Sequence, residues 1–134
     1  MKILIMGLPG SGKTYLAERL QPLLEAAWYN ADKVRGMAGD WDFSDDGRTR
    51  QSLRMKNLAD FETFHNRFVI CDFVCPTEET RNIFDADILI WLDTIKKGRF
   101  EDTNKIFEEP SNCNFRIKEW NDTNHITIAE ELKK

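Results

Sequence analysis

Short apolar segments alternate along the chain with longer segments whose apolar residues recur at helical spacing. Four of the short segments, residues 3–6, 26–30, 67–72 and 87–93, have the length of a strand and are rich in apolar residues. Strands that are buried on both faces have this composition, and such strands belong mainly to parallel sheets. A fifth segment, residues 115–120, alternates between apolar and polar residues as an edge strand does.

The segments between these strands carry helical patterns. Residues 12–25 predict an amphipathic helix, in which Pro22 predicts a bend or an early end. Its apolar stripe consists of Leu16, Leu20, Leu23 and Leu24. A longer helix is predicted over residues 48–65, and its apolar side, which we expect to face the core, consists of Leu53, Leu58, Phe61 and Phe64. Shorter helices are predicted after the second and third strands and over residues 125–132. Residues 36–47 are rich in turn-forming residues and predict a loop.

Strands and helices therefore alternate, with about 30 residues in each unit. This pattern predicts an α/β fold in three layers, with a mostly parallel central sheet of about five strands and helices on both faces. The length of 134 residues is that of one domain, which we expect to span residues 1–134.

The strongest motif lies between the first strand and the first helix. Residues 7–14 read GLPGSGKT and match the P-loop pattern G-x-x-x-x-G-K-[ST] at each fixed position. The glycines of such a loop let the backbone wrap around phosphate oxygens, and the start of the helix directs unpaired amides at them. Lys13 adds a cation for the phosphates, and Thr14 adds a hydroxyl for a magnesium ion. The sequence therefore predicts that ATP with Mg²⁺ binds at Gly7, Pro9, Gly10, Ser11, Gly12, Lys13 and Thr14.

Composition narrows the range of partners. Nineteen basic and twenty-three acidic residues give a net charge of −4, so no general basic field attracts nucleic acid or a membrane surface. No apolar run has the length of a membrane span. The cysteines Cys71, Cys75 and Cys113 are odd in number and match no zinc or redox spacing, which is typical of a reducing compartment. We therefore expect a cytoplasmic protein without a membrane or nucleic-acid partner.

Two acidic residues and one charged segment are candidates for a role in phosphoryl transfer. Asp32 follows the second strand, where it can orient an attacking hydroxyl or cap the next helix. Asp72 ends the third strand, where it can hold magnesium through water or cap the following loop. Residues 95–112 are polar and charged, which fits either a short lid over the phosphates or a solvated surface helix. In the lid interpretation, Arg99 is the cation that stabilises the transferring phosphoryl group.

Several stretches together resemble the adenylylsulfate kinase family of P-loop kinases, which phosphorylate the 3'-hydroxyl of adenosine 5'-phosphosulfate (APS) with ATP. The similar stretches are residues 7–17, residues 30–35, residues 43–48, residues 73–81 and residues 92–94. The resemblance covers roughly residues 1–94. The family's long lid is missing, and residues 95–112 are a much shorter substitute.

The resemblance implies roles on the acceptor side of the site. Asp32 would lie near the attacking hydroxyl, and Phe43 would stack on the adenine of the acceptor. Arg35 and Arg48 would hold the phosphosulfate with their planar guanidinium groups. The acceptor-binding residues implied in this way are Asp32, Arg35, Phe43, Arg48, Phe73 and Cys75. The candidate metal-binding residues, Thr14 and Asp72, follow instead from the P-loop pattern and from the end of the third strand.

These patterns predict a small kinase that transfers the γ-phosphoryl group of ATP to a hydroxyl compound, with APS as the first acceptor. The chain departs from the family pattern at Gly47, Gln51 and Cys75, so a kinase for a nucleoside or for the 5'-hydroxyl of a polynucleotide stays open. A nucleotide-binding interaction module without transfer activity is a third alternative. The expected partner is a small molecule, and a homodimer is left open.

Overall fold

Five parallel strands form one sheet at the centre of the structure. A computed structural model describes all residues from 1 to 134. The strands are Lys2–Met6 (β1), Ala27–Asn30 (β2), Val69–Asp72 (β3), Ile88–Leu92 (β4) and Phe115–Ile117 (β5). Their order across the sheet is β2-β3-β1-β4-β5, and each neighbouring pair is parallel. The predicted parallel sheet of about five strands is confirmed.

Six helices cover both faces of this sheet. They are Lys13–Leu24 (α1), Ala31–Ala38 (α2), Asp45–Phe64 (α3), Glu78–Phe84 (α4), Glu101–Ile106 (α5) and Asn124–Leu132 (α6). Helices α1 and α6 pack on the face that carries Ile3 and Ile5, whereas α2, α3 and α4 pack on the face that carries Leu4 and Met6. Successive side chains of β1 thus enter two separate cores, and the predicted three-layer fold is confirmed. None of the six helices combines the length and the apolar character that a membrane crossing requires.

The loop between α2 and α3 is shorter than the sequence predicted, and each of these two helices begins at a side-chain cap. The side chain of Asn30 accepts a hydrogen bond from the backbone amide of Lys33, which caps α2. The side chain of Ser44 caps α3 in the same way, by accepting from the amide of Gly47. Because α2 extends to Ala38 and α3 begins at Asp45, the loop expected over residues 36–47 is reduced to residues 39–44.

Most of the side of α3 that its apolar pattern predicts to be buried faces outward in the structure. Leu53, Phe61 and Phe64 are 46%, 61% and 82% exposed, so the prediction that they face the core is wrong, whereas Leu58 is partly buried and packs against the core as predicted. The buried side of α3 consists of Gly47, Gln51, Ser52, Met55, Ala59 and Glu62. The polar residues of this side find hydrogen-bond partners in the interior. The side chain of Gln51, for example, donates a hydrogen bond to the backbone oxygen of Ala31.

The carboxylate of Glu62 is the main polar contact beneath α3. It accepts hydrogen bonds from the hydroxyl of Tyr29 and from the guanidinium of Arg67, both at 2.7 Å. These bonds join β2, α3 and the segment that leads into β3. The hydrogen bond from Tyr29, together with Arg67, holds the pKa of Glu62 below its ordinary value. Its charge therefore stabilises the fold above the ordinary pKa of a glutamate.

We expect Glu62→Gln to lower the free energy of unfolding by about 2 kcal/mol at neutral pH, because Arg67 loses its charged acceptor. The difference from the wild type should shrink below about pH 4, where the wild-type carboxyl takes up a proton. Urea unfolding at neutral pH and below about pH 4 measures this difference in the free energy of unfolding. Glu130→Gln, an exposed position on α6, is the control and should change little. An equal effect of the two variants, or no pH dependence, would contradict this role of Glu62.

Candidate active site

A large cavity opens at the carboxyl ends of β1, β2 and β3. Its volume is about 740 Å³, which is within the range of pockets that bind small molecules. The loops after these three strands line it, together with α3 and the segment around α5. Parallel sheets hold ligands at this edge, because the turns into the following helices gather there. The lining residues that the sequence predicted for the site are Pro9, Gly10, Gly12, Lys13, Thr14, Asp32, Arg35, Phe43, Arg48, Asp72, Phe73, Cys75 and Arg99.

The loop of residues 7–12 presents its backbone to one end of the cavity. Gly10 and Gly12 have φ angles of +89° and +101°, which side-chain-bearing residues rarely adopt. No side chain caps the start of α1, so its first amides are available to an anion. The ammonium of Lys13 donates to the backbone oxygens of Gly7 at 3.0 Å and Leu8 at 3.2 Å. Burial lowers the pKa of Lys13 to about 8, although nearby carboxylates oppose the shift, so the side chain is still mainly charged at pH 7.

Two aromatic residues that the sequence did not single out lie beside this loop. The ring of Trp120 contacts Gly12 so closely that a Cβ atom there would collide with it. The same ring meets Tyr15 edge to face, with 5.1 Å between ring centroids. Both side chains are nearly half exposed. No local pattern marks Trp120, because its position follows from the way β5 lies beside β4.

A group of oxygen atoms lies between the start of α1 and the end of β3. The amide nitrogen of Asn30 donates to Asp72 Oδ1 at 3.1 Å and approaches the hydroxyl of Thr14 at 3.4 Å. The indole nitrogen of Trp28 donates to the other carboxylate oxygen of Asp72. Burial raises the pKa of Asp72 to about 6. The Thr14 hydroxyl and the Asp72 carboxylate are hard oxygen ligands, whereas Asn30 directs its side-chain nitrogen at them and uses its oxygen to cap α2. This pair of oxygen ligands fits a magnesium ion that is also held by phosphates and water.

Asp32 lies in the first turn of α2, exposed at the cavity wall. The cap of that helix is supplied by Asn30, so Asp32 is not the capping residue that the alternative interpretation required. Its carboxylate makes no hydrogen bond or ion pair within the chain. Asp32 is therefore available to a molecule in the cavity.

Two arginines surround Phe43 in the loop of residues 39–44. Arg35 is buried, and its guanidinium lies 4.4 Å from the centre of the Phe43 ring while donating to the backbone oxygens of Asp40 and Asp42. Arg48 donates through Nε to the backbone oxygen of Phe43, which leaves its two terminal nitrogens without a partner in the chain. Phe43 itself is 52% exposed at the cavity wall. Both arginines thus shape the loop in addition to any role in binding.

The other two predicted acceptor residues are largely buried. Phe73 packs edge to face on Phe84, with 5.5 Å between ring centroids. Cys75 has a left-handed φ of +46°, and its backbone oxygen accepts a hydrogen bond from Arg81. Burial raises the pKa of the Cys75 thiol to about 12, so this thiol is not a nucleophile at neutral pH.

The segment that leads into α5 lies over the loop of residues 7–12. The side-chain amide of Asn104 makes two hydrogen bonds with the backbone of Gly98, at 2.8 and 2.9 Å, and Gly98 packs against Pro9. Arg99 and Phe100 follow and line the cavity, both exposed. Phe100 was not predicted as a site residue, because an isolated phenylalanine in a charged segment gives no signal of its own.

Comparisons with known proteins agree with this architecture. The family model described as an AAA domain matches residues 3–105. A probable adenylyl-sulfate kinase from Aeropyrum pernix is 34% identical over 111 residues, which are 73% of this chain and 59% of that protein. The chain thus spans less than two thirds of the length of this curated relative.

Two solved structures are similar in fold. The APS kinase CysC of Mycobacterium tuberculosis, in complex with AMPPNP and APS, has a TM-score of 0.77 at 21% identity, over 98% of this chain and 95% of that chain. The shikimate kinase of Aquifex aeolicus has a TM-score of 0.65 at 18% identity, over 99% of this chain and 94% of that chain. The resemblance to adenylylsulfate kinases and the P-loop kinase fold predicted from the sequence are confirmed.

We expect Gly12→Ala to weaken binding of a non-hydrolysable ATP analogue at least about tenfold, because a side chain there is strained and collides with Trp120. Calorimetric titration in the presence of Mg²⁺ measures the affinity. The matched control is Gly39→Ala, which also has a positive φ but has open space around it and lies outside the cavity. The control should bind the analogue as the wild type does. Equal losses in the two variants, or none in Gly12→Ala, would contradict a phosphate site at this loop.

Proposed function

The chain belongs to the AAA-domain family, and we propose that it is a small kinase that transfers the γ-phosphoryl group of ATP to a hydroxyl compound, with APS as the preferred acceptor. The observation that carries this proposal is the shared cavity. The glycine-rich loop before α1 lines this cavity, and the same cavity is lined by a free carboxylate, arginines and exposed aromatic rings. A phosphoryl donor and an acceptor can therefore meet in one space.

The donor end of the cavity has the groups that phosphoryl transfer needs. The amides at the start of α1 and the ammonium of Lys13 would bind the β- and γ-phosphates of ATP. Thr14 and Asp72 would hold Mg²⁺, which neutralises charge on the phosphates when it is bound. Arg99 lines the cavity without a hydrogen bond or ion pair, with its guanidinium 5.2 Å from the centre of the Phe100 ring, and would stabilise the transferring group. The protein would then promote phosphoryl transfer mainly by holding the reacting groups in position and by neutralising their negative charge.

The acceptor end suits a nucleotide-like molecule with negative charge. Phe43 and Phe100 are about half exposed at the wall, and a purine can stack on such rings. The terminal nitrogens of Arg48 are available to an anion. The carboxylate of Asp32 would accept the hydrogen bond of the attacking hydroxyl and take up its proton. APS combines a purine, an anionic group and a free hydroxyl, which favours it over a sugar or a sugar acid.

An acceptor panel tests the proposal. The purified chain with Mg²⁺ and ATP should release ADP fastest with APS, compared with nucleosides, shikimate, gluconate and a polynucleotide with a 5'-hydroxyl. Faster turnover of a nucleoside or of the polynucleotide would reject APS in favour of another kinase activity. ATP binding without release of ADP for any acceptor would reject the kinase proposal and favour a nucleotide-binding module.

We expect Phe43→Ala to raise the KM for APS about tenfold or more, since the loss of one stacking ring costs about 1–3 kcal/mol. Affinity for the ATP analogue should stay unchanged, because Phe43 is not part of the donor end. Initial rates at several APS concentrations, together with calorimetry, separate the two effects. Ile126→Ala removes an exposed apolar side chain on the other face of the sheet and is the control. Parallel losses for both ligands in Phe43→Ala would argue against the stacking role.

A further inference from the structure

The segment between β4 and α5 is joined to the glycine-rich loop before α1. The hydroxyl of Thr94 donates a hydrogen bond to the backbone oxygen of Ser11 at 2.8 Å. Further along the segment, a Cβ atom on Gly98 would lie only 3.2 Å from both Cδ and the backbone oxygen of Pro9. The two backbones therefore approach each other closely at Gly98, which ties this residue to the glycine-rich loop.

The side chain of Asn104 closes the beginning of α5 onto Gly98. The backbone amide of Gly98 donates to Oδ1 of Asn104 at 2.8 Å, and Nδ2 of Asn104 donates to the backbone oxygen of Gly98 at 2.9 Å. Because asparagine carries an acceptor and a donor on one side chain, it bonds both backbone groups of Gly98 at once. The backbone amide of Asn104 also donates to the backbone oxygen of Phe100 at 3.1 Å. One residue thus holds the backbone of residues 98–104 in a defined shape.

This closed segment carries four residues that line the cavity, namely Arg99, Phe100, Asp102 and Thr103. The guanidinium of Arg99 makes no hydrogen bond or ion pair and lies 5.2 Å from the centre of the Phe100 ring, which is itself 53% exposed. No bond of its own therefore directs Arg99 into the cavity. Its direction depends on the backbone that Asn104 holds.

The charge of Arg99 acts at the donor end of the cavity. Burial is the main cause of the lowered pKa of Lys13, and the positive charge of Arg99 adds to this shift. The guanidinium therefore lies near enough to the ammonium of Lys13 for their charges to interact. Both cations face the space that the phosphates of ATP would occupy.

We propose that Asn104 is a positioning residue for phosphoryl transfer: by holding Gly98, it keeps Arg99 at the donor end, where the guanidinium stabilises the transferring group. The proposal rests on the kinase function proposed above. Ordering a flexible segment costs conformational entropy, and in this chain the hydrogen bonds of Thr94 and Asn104 order it during folding. An arginine that is already in place needs less reorganisation when the reaction begins.

Initial rates of the full chain with Mg²⁺, ATP and APS test this role. Asn104→Ala should lower kcat at least about tenfold while the KM values for ATP and APS change less than about threefold, because Arg99 acts on the transferring group. Asn114→Ala is the matched control, since the side chain of Asn114 also accepts from a backbone amide, that of Leu89, but lies outside the cavity. The control should keep the wild-type kcat, and thermal unfolding checks that both variants are folded.

Equal losses of kcat in the two asparagine variants would overturn the proposal, because the effect would then follow from any lost backbone hydrogen bond. An unchanged kcat in Asn104→Ala, or a loss that is confined to the KM values, would overturn it as well.

A double variant shows whether Asn104 acts through Arg99. Arg99→Ala should lower kcat at least as much as Asn104→Ala does. The combined variant should then be no slower than Arg99→Ala alone, because residues that act as one unit give non-additive losses. Two independent effects would multiply, and a combined loss equal to the product of the two single losses would overturn the proposal.

Hydrogen exchange of the ligand-free chain separates failure of this proposal from failure of the kinase function, because it needs no turnover. Asn104→Ala should speed amide exchange over residues 98–104 at least about tenfold and leave β1 and α1 unchanged. Unchanged exchange over residues 98–104 would overturn the proposal even in an active kinase. Faster exchange in a chain that releases no ADP with any acceptor of the panel would instead reject the kinase function, while the hold of Asn104 on this segment would stand.

Discussion

The buried carboxylate of Asp72 is the constraint around which the site is built. It lies where β3 ends, and it is held by Trp28 and Asn30 of the neighbouring strand β2. Asn30 also caps α2 and approaches Thr14 of α1, so one residue connects the carboxylate to two helix starts. Burial makes ionisation of this group unfavourable, and its fixed hydrogen bonds partly offset that cost. A cation bound beside it would meet ligands that are already in position.

The proposed acceptor end is built differently, from a loop whose shape is held by arginines from α2 and α3. Arg35 and Arg48 bind backbone oxygens of residues 40–43, and Arg50 and Arg54 bind the carboxylate of Asp40 at the base of the loop. The exposed ring of Phe43 is therefore presented by a network of charged hydrogen bonds. Substitution of one of these arginines would alter the shape of the acceptor site as well as its charge, so loss of activity alone would not identify a binding role.

The fold and the position of the glycine-rich loop before α1 could be predicted from the sequence because both depend on local patterns. Strand runs, helix spacing and the glycine pattern of residues 7–14 each lie within one short stretch. The inward side of α3 could not be predicted, because the partners of Gln51 and Glu62 come from distant parts of the chain. Phe100 and Trp120 were missed for the same reason: only the packing of separate segments brings them to the cavity and to Gly12.

The central claim is that donor and acceptor occupy one cavity at the same time. A crystal structure of the chain with Mg²⁺, a non-hydrolysable ATP analogue and APS tests this directly. The account predicts the γ-phosphate beside Lys13, the purine of APS against Phe43, and its free hydroxyl within hydrogen-bond distance of Asp32. A structure in which the ATP analogue alone fills the cavity, or in which APS binds elsewhere, would contradict it.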